Sequence, residues 1–205
     1  MLHNSDISSE VVNQFREGLK EFTPALQTSR KAAHQGTALL TKFEMLRQYD
    51  AVFVHEVTEV KNKHGNFIVM LVKKHLRILK KVGGTRSRHL APKEIEEYEP
   101  VLVFNLLVDM GKIFIKEETL AEKILDVLTR IDIDFKEFPR FSKNYYMAAE
   151  QPDLVRKHFP KRLLAALNDT SDMNVEINGT SGLLRPQKNF SKEVLHSILK
   201  VASAE

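Results

Sequence analysis

Near the start of the chain, apolar residues recur at helical spacing: Val11, Val12, Phe15, Leu19 and Phe22 fall on one stripe. Ser8 and Ser9 precede them, and a serine at a helix start offers the side-chain oxygen that the first free N–H groups need. The pattern predicts an amphipathic helix interrupted by Pro24. Leu39, Leu40, Phe43 and Leu46 predict a second helical stretch from about Thr37 to Tyr49. Such helices either cover a sheet or form an arm for self-association or a partner.

From Ala51 the texture changes. AVFVHEVTEV is rich in β-branched residues and predicts a strand, KNKHGN a turn, and FIVMLVKKHLRIL the return strand of a hairpin. Ile68, Leu71, Val72, His75, Leu76 and Leu79 also share one helical face, so residues 67–81 carry two readings. Strand is favoured at least to Val72, because Phe-Ile-Val follows a hairpin-like turn. Gly83-Gly84 ends the element, TRSRHLAP reads as an exposed loop, and Pro92 opens a short acidic turn, EIEEYE.

VLVFNLL (101–107) and KIFIKEE (112–118) read as two strands around the Asp109-Met110-Gly111 turn. A helix with Leu120, Ile124, Leu125 and Leu128 on its buried side is expected next, then an alternating IDIDF strand at 131–135. NYYMAAE predicts a strand, and Pro152 opens a helical pair broken at Pro160. MNVEI and GLLRP flank an NGTS loop as a hairpin, and Ser191 caps a last helix carrying Val194, Leu195, Ile198 and Val201. Strands and helices mix without regular β–α alternation. The expected class is α+β, a mostly antiparallel sheet packed with helices. Residues 1–50 read as an N-terminal helical segment and 51–205 as a single α+β domain.

Composition narrows the chemistry. At 205 residues and 42% hydrophobic the chain is long enough to bury a core. It has no cysteine, which excludes disulfides, thiolate metal sites and cysteine nucleophiles. The N-terminus lacks a basic segment followed by an apolar run, so no secretory signal is read, and no apolar stretch is long enough to span a bilayer. The expected location is cytoplasmic, with peripheral contact at a membrane left open. Without a secretory signal, the Asn-x-Ser/Thr triplets at Asn168, Asn178 and Asn189 read as chance.

Candidate catalytic groups are sparse. His3, His34, His55, His64, His75, His89, His158 and His196 never pair at metal-ligand spacing, and His55-Glu56 has no second histidine to complete a zinc motif. Asp132 and Asp134 would share a strand face with Glu137 as a remote third ligand, but an ordinary half-exposed strand explains the alternation. Gly83-Gly84-Thr85-Arg86-Ser87-Arg88 would let amides and guanidinium groups grip an anion, yet lacks the Lys-Ser/Thr ending of a nucleotide loop. Gly-x-Ser-x-Gly is absent. No catalytic residue, metal site or cofactor is expected.

Charge gives the clearest signal. Between Val60 and Lys93 stand ten Lys or Arg and no Asp or Glu, where about four or five acids would be average. The whole chain carries +4, so the remainder sums to −6. Lys73, Lys74, Arg77, Lys80, Lys81, Arg86 and Arg88 are the candidate anion-binding residues. Their expected partner is an anionic membrane surface or an acidic protein, with nucleic acid as the alternative. A third reading is a solvated face balanced by EIEEYE folded back on it.

Phe141, Tyr145, Arg156, Phe159, Pro160, Leu163 and Leu164 form a pattern over roughly residues 101–203 that resembles a bacterial domain family of unknown function. The resemblance implies a cytoplasm-facing domain, often placed after N-terminal membrane helices, with no enzymatic role to carry over. Here residues 1–50 read as amphipathic helices instead of spans, a departure from that pattern.

Overall fold

The computed structural model describes residues 4–22, 27–62, 65–82, 89–117 and 133–203. In chain order the elements are α1 (Asn4–Phe22), β1 (Gln27–Arg30), α2 (Ala33–Leu40), a 3-10 turn (Glu44–Leu46), β2 (Ala51–Asn62), β3 (Gly65–Val82) and β4 (His89–Asn105). There follow β5 (Lys112–Glu117), α3 (Pro139–Asn144), β6 (Tyr145–Ala149), α4 (Pro152–His158), α5 (Lys161–Asn168), β7 (Met173–Asn178), β8 (Ser181–Pro186) and α6 (Lys192–Ser203). The strands form one antiparallel sheet in the order β1-β2-β3-β4-β8-β7-β5-β6. The α+β class and the antiparallel sheet expected from the sequence are therefore correct.

Strand alternation divides the core in two. One face presents Val60, Phe67, Val69, Leu71, Leu102, Ile113 and Val175 to α1, α6 and the α3–α5 group, where Phe15, Phe141 and Leu163 are buried. The other presents Val57, Met70, Val72, Val101 and Val103 to Leu40, Phe43 and Leu46 of the 33–50 segment. In β2 the register shifts between Val54 and Glu56. The bulge resets the alternation, so Val52 and Val54 join Val57 against the same cluster despite their odd separation.

Several elements match their sequence patterns closely. Ser191 Oγ accepts the Val194 N–H at 3.2 Å, capping α6 as expected. Pro160 separates α4 from α5, and MNVEI pairs with GLLRP as β7–β8. Phe141, Tyr145, Phe159, Leu163 and Leu164 are all buried, which gives these positions a packing role.

Other expectations need correction. The N-terminal 50 residues are not purely helical, since Gln27–Arg30 forms the edge strand β1 against Thr58–Lys61. The second helix runs over 33–40, earlier than expected, and Phe43 separates it from the 3-10 turn. EIEEYE is no turn: residues 94–99 lie inside β4, paired with β3 throughout. Of the two readings left open for residues 67–81, the strand favoured to Val72 is right and continues to Val82. β4 and β5 do not pair across the 109–111 turn, because the β7–β8 hairpin lies between them. The loop 106–111 arches over that hairpin's turn, with Leu106 N–H donating to Thr180 O at 2.7 Å and Met110 N–H to Gly179 O at 3.0 Å. Ile133–Phe135 is not a strand, although Ile133 N–H donates to Met147 O beside β6. Ile131, Asp132 and the helix expected after Thr119 lie outside the described residues.

Candidate functional site: the β3–β4 ribbon

The β3–β4 ladder is the longest pairing in the sheet, from Phe67 opposite Phe104 to Val82 opposite His89. Its neighbours stop early. β2 leaves β3 at Ala51 opposite His75, and β8 meets β4 only over residues 102–105. Asp50 closes the β3 side: its N–H donates to His75 O at 3.0 Å, and its carboxylate accepts the Arg77 N–H. On the β4 side, Phe190 N–H donates to Tyr98 O at 2.7 Å. Beyond these caps, seven paired positions, Leu76 opposite Ile95 to Val82 opposite His89, continue as a ribbon of two strands. At about 3.4 Å per residue the ribbon reaches roughly 20 Å past the sheet.

Cross-strand register divides the candidate cations into two groups. Near the base of the ribbon every one faces an acid. Lys73 Nζ lies 2.7 Å from Glu96 Oε2, and His75 Nε2 lies 3.0 Å from Glu96 Oε1. The hydrogen bond from Lys73 holds the Glu96 carboxyl below its ordinary pKa. Arg77 pairs with Glu94 at 3.0 Å. Lys74 is buried, 2.7 Å from Glu99 Oε2 and 3.4 Å from Glu97 Oε2, which leaves it unavailable to an external anion. Further out, Lys80 stands opposite Ala91, Lys81 opposite Leu90, and Lys93 opposite Ile78. No acid occupies residues 78–93, which hold Lys80, Lys81, Arg86, Arg88 and Lys93. Arg86 and Arg88 lie outside the described residues.

Beneath the ribbon's base lies a charged cluster that sequence reasoning did not find. Glu99 is fully buried and accepts from both Lys74 and Arg185, the latter at 2.8 Å. Arg185 also donates to Tyr49 Oη at 2.7 Å and to Met45 O at 3.3 Å. The Tyr49 ring lies beside both cations, 4.9 Å from Lys74 Nζ and 5.3 Å from the Arg185 guanidinium carbon. Nearby, buried Glu176 accepts the N–H groups of Glu44 and Met45, each at 2.7 Å. Burial pushes the Glu176 pKa up despite these bonds. Lys112 reaches Glu44 at 2.9 Å. These contacts fasten the 3-10 turn to the sheet. The usable signal was a set of charged residues at inward strand positions, Glu99 and Arg185 among Val101, Leu183 and Val103. Only a known strand order brings them together.

Aromatic rings border the base on the other face: Phe53, 52% exposed, meets His75 edge-on at 5.2 Å, and His55 lies 5.5 Å from Tyr98. Burial and nearby Lys73 lower the His55 pKa, so this ring stays neutral near pH 7. Among the described residues no cluster of three or more His, Cys, Asp or Glu is placed to hold a metal, and no helix is long and apolar enough to cross a membrane.

An eight-stranded antiparallel sheet with helices on both faces and a projecting two-stranded ribbon defines an α+β scaffold. A solved structure with this fold is that of the mycobacterial trehalose monomycolate transport factor A, TtfA. The likeness has a TM-score of 0.51 and covers 94% of this chain and 90% of that one, at 9% sequence identity, so what the two share is the fold. No family model matches the chain. No curated protein is significantly similar to it in sequence.

Proposed function

We propose that this chain is a non-catalytic interaction domain that contacts an anionic membrane surface, or an acidic protein, through the distal half of the β3–β4 ribbon. The observation that carries this reading is the register: Lys74, His75 and Arg77 stand opposite acids, Lys73 reaches Glu96 diagonally, and no acid stands opposite or diagonal to Lys80, Lys81 or Lys93. The contact set narrows from the whole basic stretch to Lys80, Lys81, Arg86, Arg88 and Lys93. At about 1 kcal/mol per cation near an anionic bilayer, five give roughly 5 kcal/mol, a reversible anchor that salt weakens.

One feature favours a second reading. A two-stranded ribbon is a shape that the major groove of duplex DNA admits, and phosphate contacts need only positive charge. Co-sedimentation with anionic and neutral vesicles at low and physiological salt, with duplex nucleic acid as competitor, separates the two. The first reading expects pelleting with anionic vesicles alone, falling with salt and surviving the competitor. Competition by duplex, or duplex binding without vesicle binding, transfers the ribbon to nucleic acid. Absence of binding to all three rejects the lipid and nucleic-acid readings and leaves an acidic protein or a solvated face.

A further inference from the structure

Away from the ribbon, a cleft of about 240 Å³ opens between the 33–50 segment and the start of β2. Its walls include Leu40, Phe43, Leu46, Val52 and Val54. Two built features hold it open. At one end α2 meets the sheet at Gly36, where an added Cβ would lie 2.8 Å from Met70 Sδ and from Val57 Cγ2, so only glycine permits that approach. At the other end Glu176 and Arg185 clip residues 44–49 to β7 and β8. The segment is pinned on both sides of the gap, and the apolar walls cannot close on each other without breaking one of these anchors.

The rim carries the charge. Arg47 lines the cleft, is exposed, and makes no ion pair among the described residues; its charge acts on the buried Glu176 carboxyl without a hydrogen bond between them being formed. Asp50 also lies on the rim, but its carboxylate accepts the Arg77 N–H at the end of the ribbon. Tyr49 is engaged by Arg185. Arg47 is therefore the polar group left to greet a ligand, and a guanidinium selects a carboxylate through paired hydrogen bonds.

We infer that this cleft is a binding site for a medium-chain acyl carboxylate, its tail against Val52, Val54, Leu40 and Leu46 and its head on Arg47. The volume suits that length: at about 30 Å³ per water-sized group it holds about eight such groups. An apolar cleft with one convergent polar group is the usual form of a small-molecule site. The inference is independent of the ribbon reading, and either stands without the other.

The test is a methyl-detected NMR titration of the full chain with octanoate, and with octanol as the uncharged control. Octanoate is expected to give saturable shifts at the Leu40, Leu46, Val52 and Val54 methyls. Arg47→Gln is expected to weaken octanoate about tenfold or more and to leave octanol unchanged. Thr41→Phe, an exposed position on the cleft lining, should block both ligands without unfolding the chain. Val52→Phe serves as a second obstruction from the floor, with the methyl spectrum itself reporting the fold. Absence of saturable shifts up to the solubility limit overturns the site. Equal weakening of both ligands by Arg47→Gln overturns the carboxylate contact, and undiminished binding to a folded Thr41→Phe variant places the ligand elsewhere.

Discussion

At the scale of single residues, two positions carry more than their surroundings suggest. Gly182 lies opposite Phe104, and a Cβ there would fall 2.3–2.7 Å from three Phe104 ring carbons. The ring occupies the space a side chain would fill, and Phe104 is itself buried. Gly182→Ala must displace that ring within a packed core, at a cost of about 1–3 kcal/mol, read as a lowered denaturant midpoint. Glu99 is the other. Its removal leaves Lys74 and Arg185 buried together without their shared carboxylate, so Glu99→Ala is expected to cost about 3–5 kcal/mol. Glu96, partly exposed and paired with Lys73, is expected to lose less than about 1 kcal/mol on the same change. Equal losses at the two positions, measured by urea unfolding, would refute the distinction between buried and surface pairs.

Among the elements, Glu56 joins three. It accepts from Arg16 of α1 at 2.6 Å and from Arg30 of β1, tying both to β2. Burial raises its pKa, but hydrogen bonds from Arg16 and Arg30 outweigh that and hold it below the ordinary 4.5. A depressed folded-state pKa means the unfolded chain takes up the proton first as pH falls. The stabilisation is therefore complete above about pH 4.5 and is lost as pH falls through the folded value. Glu56→Gln removes this dependence: denaturation series between neutral and acidic pH should show a shallower acid limb in the variant. Parallel limbs would mean that the clasp is not electrostatically coupled to folding.

The same scale shows what was legible in the sequence. α1, the α4–α5 pair, the β7–β8 hairpin and α6 each announce themselves, because a local period, a proline or a capping serine fixes each one within its own residues. EIEEYE was misread because Pro92 and four glutamates suggest a turn. In an edge stretch a proline forfeits only an N–H that no third strand needs, and the glutamates follow the cations across the ladder. Insertion of β7–β8 between β4 and β5 left no local trace, since sheet order depends on partners far along the chain, such as Leu102 with Leu184 and Ile115 with Val175. For the same reason the cluster of Tyr49, Lys74, Glu99 and Arg185 was invisible: three strands and the loop before β2 contribute it. The basic stretch itself was plain in the sequence, but its division into a neutralised base and an unopposed outer part needed the register.

For the whole molecule, a well-anchored sheet carries one projecting ribbon. Helices cover one face, a clipped segment covers part of the other, and the ribbon extends past both, its register setting no acid opposite Lys80, Lys81 or Lys93. The direct measurement compares two variant sets in vesicle co-sedimentation: Lys80, Lys81, Arg86 and Arg88 all changed to Gln, against Lys73 and Arg77 changed to Gln. With about 1 kcal/mol per outer cation, the four changes remove roughly 4 kcal/mol, and the first set should lose anionic-vesicle affinity on the order of several hundredfold. The second, which removes cations already paired with Glu96 and Glu94, should bind close to the unaltered chain. Loss on changing the base, with binding retained when the outer cations are gone, would contradict the account.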